Sequence, residues 1–242
     1  MTFLPLVLVG WALSPSPMEP SGPMRSVSRF VLDAAYASGC TFWDTSNVYG
    51  DNEDLIGKWF KRTGKHDEIF LATKFGVDFT TARNLNGTPE ACHAHFQRSL
   101  ERLGVDKVDL FYLHRPDPEV PIEVTVGAMA ELVKAGKVHP IAALQVEYSA
   151  FTLDIEGELN LLKTARELGV KIIAYSPLGR GLVTDQHKSP DDFEEGDFRR
   201  RVPRYSRENF PNILKLADLL KKIGESQCYG WSSCSCVAPG PG

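Results

Sequence analysis

The chain has 242 residues, 43% of them hydrophobic and 24% charged, enough to bury one sizeable α/β core or two smaller ones. Its formal net charge of −4 leaves no overall positive footprint, which argues against nucleic acid or an anionic membrane and for a small-molecule partner. Five cysteines, three of them (Cys228, Cys234 and Cys236) crowded near the end, match neither a disulfide framework nor a zinc site, so a reducing, cytoplasmic setting without a metal is expected.

The apolar opening through Leu13 lacks the basic start of a secretory signal and is too short to span a bilayer, so a first strand near Leu6 to Val9 is the expectation. Ser14 to Met24, with its prolines, reads as a loop. Ser26 to Ser38 carries apolar residues at helical spacing and is closed by Gly39. Thr41 to Trp43 reads as a short buried strand that opens at Asp44 into a loop holding Tyr49. Asn52 to Arg62 predicts a helix ended by Gly64, and Ile69 to Thr73 a strand that delivers Lys74. After a polar loop from Gly76 to Gly87, Thr88-Pro89-Glu90 supplies a helix N-cap, a first-turn proline and a first-turn acid. That helix runs to Leu103, and the strand Val108 to Leu113 delivers His114.

Pro121 to Ala135 predicts an amphipathic helix, and Ile141 to Val146 a strand with Gln145 near its end. Leu159 to Leu168 predicts a helix, and Lys171 to Ala174 a strand that leads into Tyr175-Ser176-Pro177-Leu178-Gly179-Arg180-Gly181. Asp185 to Tyr205 is dense in charge and reads as a mobile loop, with Arg199-Arg200-Arg201 a solvated run rather than a phosphate clamp. Pro211 to Ile223 predicts a final helix, and residues 225–242 a disordered tail without apolar period. The organisation expected is an N-terminal segment (1–23), a strand-helix domain (24–224) and that tail.

Alternating strands and helices argue for a parallel sheet with right-handed crossovers. Asp44, Lys74, His114, Gln145 and Tyr175 lie 30, 40, 31 and 30 residues apart, one crossover each. Parallel barrels place their chemistry at such strand ends. A tyrosine hydroxyl titrates near 10 in water, so it needs help to act at neutral pH. A lysine nearby would lower that pKa, and a carboxylate would hold the lysine. A histidine could orient a carbonyl oxygen. Asp44, Tyr49, Lys74 and His114 supply the four groups that a carbonyl reduction requires, with Tyr49 protonating the oxygen while a nicotinamide delivers hydride.

Several separate blocks resemble the aldo-keto reductases, and within them the fungal branch similar to pyridoxal reductases. They are Trp43-Asp44-Thr45 with Tyr49-Gly50, Ala72-Thr73-Lys74, Leu113-His114-Arg115, Ala143 to Ser149, and Ala174 to Gly181. The resemblance covers roughly residues 27 to 224. It implies a TIM-type (β/α)8 barrel, NADPH as hydride donor, and Asp44, Tyr49, Lys74 and His114 as the catalytic tetrad, with Tyr49 and His114 meeting a small carbonyl substrate. It further implies that Asp44 belongs to the cofactor-binding residues, that Gln145 bonds the nicotinamide carboxamide, that Tyr175 stacks on its ring, and that Ser176, Pro177, Leu178, Gly179, Arg180 and Gly181 line the pyrophosphate.

The chain also departs from that pattern. Family members continue after Gly136-Lys137-Val138 with a Gly-Leu-Ser-Glu type of strand and a helix, whereas here Val138 runs into His139-Pro140-Ile141. The final strand-helix unit and its basic loop for the adenosine phosphate have no counterpart after Glu225. About six strand-helix units are therefore expected, the fifth and eighth being absent. The alternative implied is a truncated, non-catalytic relative that acts by association through exposed barrel edges.

Overall fold

A computed structural model describes residues 7–9, 24–158, 160–184 and 187–227. Among the described residues six strands and six α-helices alternate: β1 (Val7–Val9), α1 (Met24–Ala37), β2 (Phe42–Asp44), α2 (Asn52–Thr63), β3 (Phe70–Phe75), α3 (Pro89–Leu103), β4 (Leu110–Leu113), α4 (Ile122–Lys134), β5 (Ala143–Glu147), α5 (Leu161–Glu167), β6 (Lys171–Tyr175) and α6 (Phe210–Gln227). All strand pairings are parallel, as the crossovers require. The strands fall into two sheets, β1-β2-β3-β4 and β5-β6, so a closed barrel is not seen among the described residues. The chain accordingly divides into two compact units, one ending at Pro140 and the other beginning at Ile141.

In the first unit the element ends follow local chemistry. Thr88 Oγ1 accepts from the Ala91 amide at 3.2 Å, Pro89 opens α3, and Gly104 closes it in the left-handed region with its amide on Leu100 O. β3 is buried along nearly its whole length because helices cover parallel sheets on both faces. Its Leu71 and Phe75 join Trp43, Trp59, Phe96, Leu103 and Phe111 in one core. Helices α2 and α3 pack closely: a Cβ at Gly57 would lie 2.4 Å from the Arg102 carbonyl oxygen. The sequence expectation of an amphipathic α4 is met on one side only. Thr125, Ala128 and Leu132 are buried, but Ile122, Val124 and Val126 face outward.

The second unit holds β5 and β6, paired from Ala143–Lys171 to Glu147–Tyr175. It also corrects the expectation of a mobile loop over 185–205. Residues 187–205 wind into short 3-10 turns, and Phe193 and Tyr205 are buried with Leu182, Phe210 and Ile213. The charges that suggested mobility are spent locally: Arg199 pairs with Asp197, and Arg200 donates to Phe193 O. Two aromatic rings outweigh the polar composition because each buries a large apolar area. Helix α6 reaches Gln227, past the expected limit at Ile223. The strand expected near Leu6 to Val9 is present as β1, while the rest of the N-terminal segment and the tail beyond Gln227 lie outside the described residues.

Candidate active site

Asp44 is the last residue of β2, Lys74 lies one residue before the end of β3, and His114 follows β4 directly. The parallel register sets Asp44 beside Ala72 and Lys74 beside Tyr112, which brings these ends together. Lys74 Nζ donates to Asp44 Oδ1 and, at 2.8 Å, to the Thr45 carbonyl. Both side chains of the pair are buried, with Asp44 1% and Lys74 2% exposed. Burial pulls the Lys74 pKa down, and Asp44 opposes that shift.

Tyr49 sits in the turn between β2 and α2, its ring 5.7 Å from the His114 ring in an edge-on arrangement and its centroid 5.0 Å from Lys74 Nζ. The expectation that Lys74 lowers the tyrosine pKa is not met. Tyr49 is pushed up to about 12, first by burial and then by the Asp44 charge, while Arg115 acts in the opposite sense. The lysine charge is committed to Asp44 and the Thr45 carbonyl, so desolvation dominates. His114 moves down to about 4 because burial, Lys74 and Arg115 all disfavour imidazolium. At neutral pH the site therefore holds a protonated phenol and a neutral imidazole.

Several supports were not visible from sequence patterns. Ser46, fully buried, lies 3.1 Å from His114 Nδ1, and Asn47 reaches the Val77 carbonyl at 3.4 Å. Arg102 fastens the Tyr49 loop from below. It donates to the carbonyls of Asn47 and Gly50 and to the carboxylates of Glu53 and Asp54, and Glu53 also accepts from Thr73 at 2.7 Å. The apolar run ending at Asp44, with Tyr49 five residues on, signalled a functional loop, but no local spacing could single out Arg102. Asn47 and Arg102 also line a cleft of about 370 Å³ with Val48, Phe79, His95 and Arg98, beside the loop and outside the four grouped residues.

The second unit carries the remaining expected residues. Gln145 is the central residue of β5, and Tyr175 ends β6 with 41% of its surface exposed. After it, Ser176, Gly179, Arg180 and Gly181 all have positive φ, which coils the backbone tightly through Pro177 and Leu178. Gly179 has a steric reason to lack a side chain, since a Cβ there would meet the Phe151 ring at 2.6 Å. The Arg180 guanidinium lies over the Phe198 ring at 4.5 Å.

Comparison with known proteins decides the relationship. A family model described as the Aldo/keto reductase family matches residues 20–142 and 137–233. The chain belongs to the aldo/keto reductase family. It is 60% identical over 215 residues to Aldo-keto reductase str7 of Strobilurus tenacellus, covering 81% of this chain and 63% of that one. It is 46% identical over 224 residues to Aldo-keto reductase yakc of Schizosaccharomyces pombe, whose name carries NADP(+), covering 82% of this chain and 66% of that protein. This aldo/keto reductase chain thus spans just under two thirds of the length of the curated relatives it matches. Among solved structures it resembles glycerol dehydrogenase AKR11B4 from Gluconobacter oxydans, with a TM-score of 0.80 at 25% identity over 91% of this chain and 74% of that one. The thermostable aldo-keto reductase Tm1743 shares the fold, with a TM-score of 0.66 at 24% identity over 92% of this chain and 76% of that one. The two family matches overlap at residues 137–142. No helix among the described residues is long and apolar enough to cross a membrane.

Proposed function

We propose that this aldo/keto reductase chain carries the active-site groups of an NADPH-dependent reductase that converts an aldehyde or ketone to an alcohol. The observation that carries this reading is the gathering of Asp44, Lys74, Tyr49 and His114 at adjacent strand ends of one sheet. NADPH, when bound, supplies the hydride for the carbonyl carbon. Tyr49 supplies the proton: its high pKa keeps the phenol protonated at neutral pH, and a developing alkoxide is a far stronger base than phenolate. Lys74 stands over the Tyr49 ring, and Asp44 keeps the ammonium charged and in place. His114, neutral, meets the substrate oxygen without adding charge. In the second unit, Gln145 would bond the nicotinamide carboxamide, Tyr175 would stack on its ring, and Ser176 to Gly181 would hold the pyrophosphate.

The test is a fluorescence titration of the 242-residue chain with NADPH, followed by turnover of a panel of aldehydes with wild type and Tyr49→Phe. Saturable binding with turnover that the substitution abolishes supports the reading. A second reading, a non-catalytic relative acting by association, draws on the outward apolar residues of α4. It is favoured if the chain binds no NADPH yet forms a stable complex with a full-length relative.

A further inference from the structure

The cleft beside the Tyr49 turn takes no part in the carbonyl chemistry. It holds about 370 Å³, room for a small organic molecule, and all of its lining residues belong to the first unit. Val48, Val77 and the Phe79 ring supply its apolar lining, and Phe79 is 69% exposed. A single exposed ring is ordinary on a protein surface. One that lines a cleft together with two valines offers a flat apolar body a place to stack.

The charges around the cleft decide what else its occupant carries. Arg102 is engaged by Glu53 and Asp54. Asp78 accepts from the Thr80 hydroxyl at 2.6 Å and from the Thr80 amide at 3.0 Å, and His95 stands between that carboxylate and the Asn47 amide. Arg98 is left over: it lines the cleft, it is exposed, and no carboxylate among the described residues pairs with it. A guanidinium fork matches a carboxylate through two parallel hydrogen bonds. Asp54 and Asp78 line the same cleft, so like-charge repulsion weighs against a dianion such as phosphate.

We propose that this cleft is a second ligand site, for a monocarboxylate with a flat apolar body, whose carboxylate pairs with Arg98 and whose body packs on Phe79. Asn47, Val48 and Gly50 belong to the turn that presents Tyr49, so an occupant steadies that turn and regulates turnover. That consequence rests on the reductase reading, whereas the site itself does not.

The test is isothermal titration calorimetry of the full 242-residue chain without cofactor, using benzoate, its uncharged counterpart benzyl alcohol, and inorganic phosphate as probes. Benzoate should bind saturably, and the other two more weakly by about tenfold or more. Arg98→Gln should weaken benzoate by about tenfold or more, the worth of charge-assisted hydrogen bonds. Arg98→Lys, which keeps the charge and loses the fork, should fall between, and Phe79→Ala should weaken the binding as well. Both side chains are exposed, so the substitutions leave the core untouched. Absence of saturable benzoate binding, phosphate binding as tight as benzoate, or an affinity unchanged in Arg98→Gln would overturn the proposal. In turnover assays benzoate should change kcat without competing with the carbonyl substrate, and Arg98→Gln should remove the effect. Purely competitive inhibition that survives the substitution would move benzoate to the four grouped residues and sink the second site. Absence of turnover in wild type would count against the reductase reading and leave the calorimetric result standing.

Discussion

Lys74 and Asp44, thirty residues apart, form a buried ion pair whose cation is also held by the Thr45 carbonyl. Removing one partner takes the ion-pair contact from a charge that is closed to water. Lys74→Met should destabilise the chain by about 3–5 kcal/mol. The double variant Asp44→Asn/Lys74→Met should cost clearly less than the sum of the two single changes. Urea unfolding of the four proteins measures this, and strictly additive losses would show that the pair is not coupled.

Tyr49→Phe keeps the ring edge against His114 and removes only the hydroxyl. Turnover should fall about 10²- to 10⁴-fold, the usual worth of a positioned acid. NADPH affinity should stay within about twofold, since the loss belongs to the chemical step and not to uniform binding. An equal fall in affinity and turnover would assign Tyr49 to binding.

The depressed His114 titration has a stability consequence. Between the ordinary value of 6.5 and the folded value of about 4, the unfolded chain binds a proton that the folded chain does not. Stability from this group is therefore complete above pH 6.5 and is lost as pH falls toward 4, by roughly 3 kcal/mol at most. Urea unfolding across that range should show a steeper acid loss in wild type than in His114→Gln. Parallel curves would mean that His114 titrates normally in the folded state.

Arg102 links helix α3 to the loop that presents Tyr49 through Glu53, Asp54 and two loop carbonyls. Arg102→Ala strands the fully buried Glu53 and should cost about 3–5 kcal/mol. Arg102→Lys keeps the charge but not the fork, so it should retain part of the stability while lowering kcat through a looser Tyr49. Thermal melts and steady-state kinetics separate the two effects. Unchanged kcat in a folded Arg102→Lys would remove the link to the loop.

Gly57→Ala tests which of two opposed effects governs α2. Helix propensity alone favours alanine by about 1 kcal/mol. The added Cβ would meet backbone, Arg102 O at 2.4 Å and Leu103 O at 2.8 Å, which cannot swing away as a side chain can. A net loss of about 1–3 kcal/mol is expected from such overpacking. A stabilised variant in urea unfolding would show that α2 and α3 can separate without cost.

Elements whose signals lie within a few residues were legible in the sequence. Thr88, Pro89 and Gly104 bound α3 because caps and left-handed turns are local events, and the apolar runs before Asp44, Lys74 and His114 are strands as expected. The resemblance to the aldo-keto reductases lay in such short blocks too, and the family match extends over residues 20–142 and 137–233. What depends on neighbours distant in the chain was not legible. Arg102 gains its role from residues about fifty positions away, and Ser46 meets His114 across 68 positions. Residues 187–205 look mobile by charge, yet Phe193 and Tyr205 are buried against Phe210 and Ile213. The direction of the Tyr49 shift belongs to the same class. Residue identity supplies a lysine and a tyrosine, but desolvation is set by what the other strands bring around them, and here it prevails over the lysine.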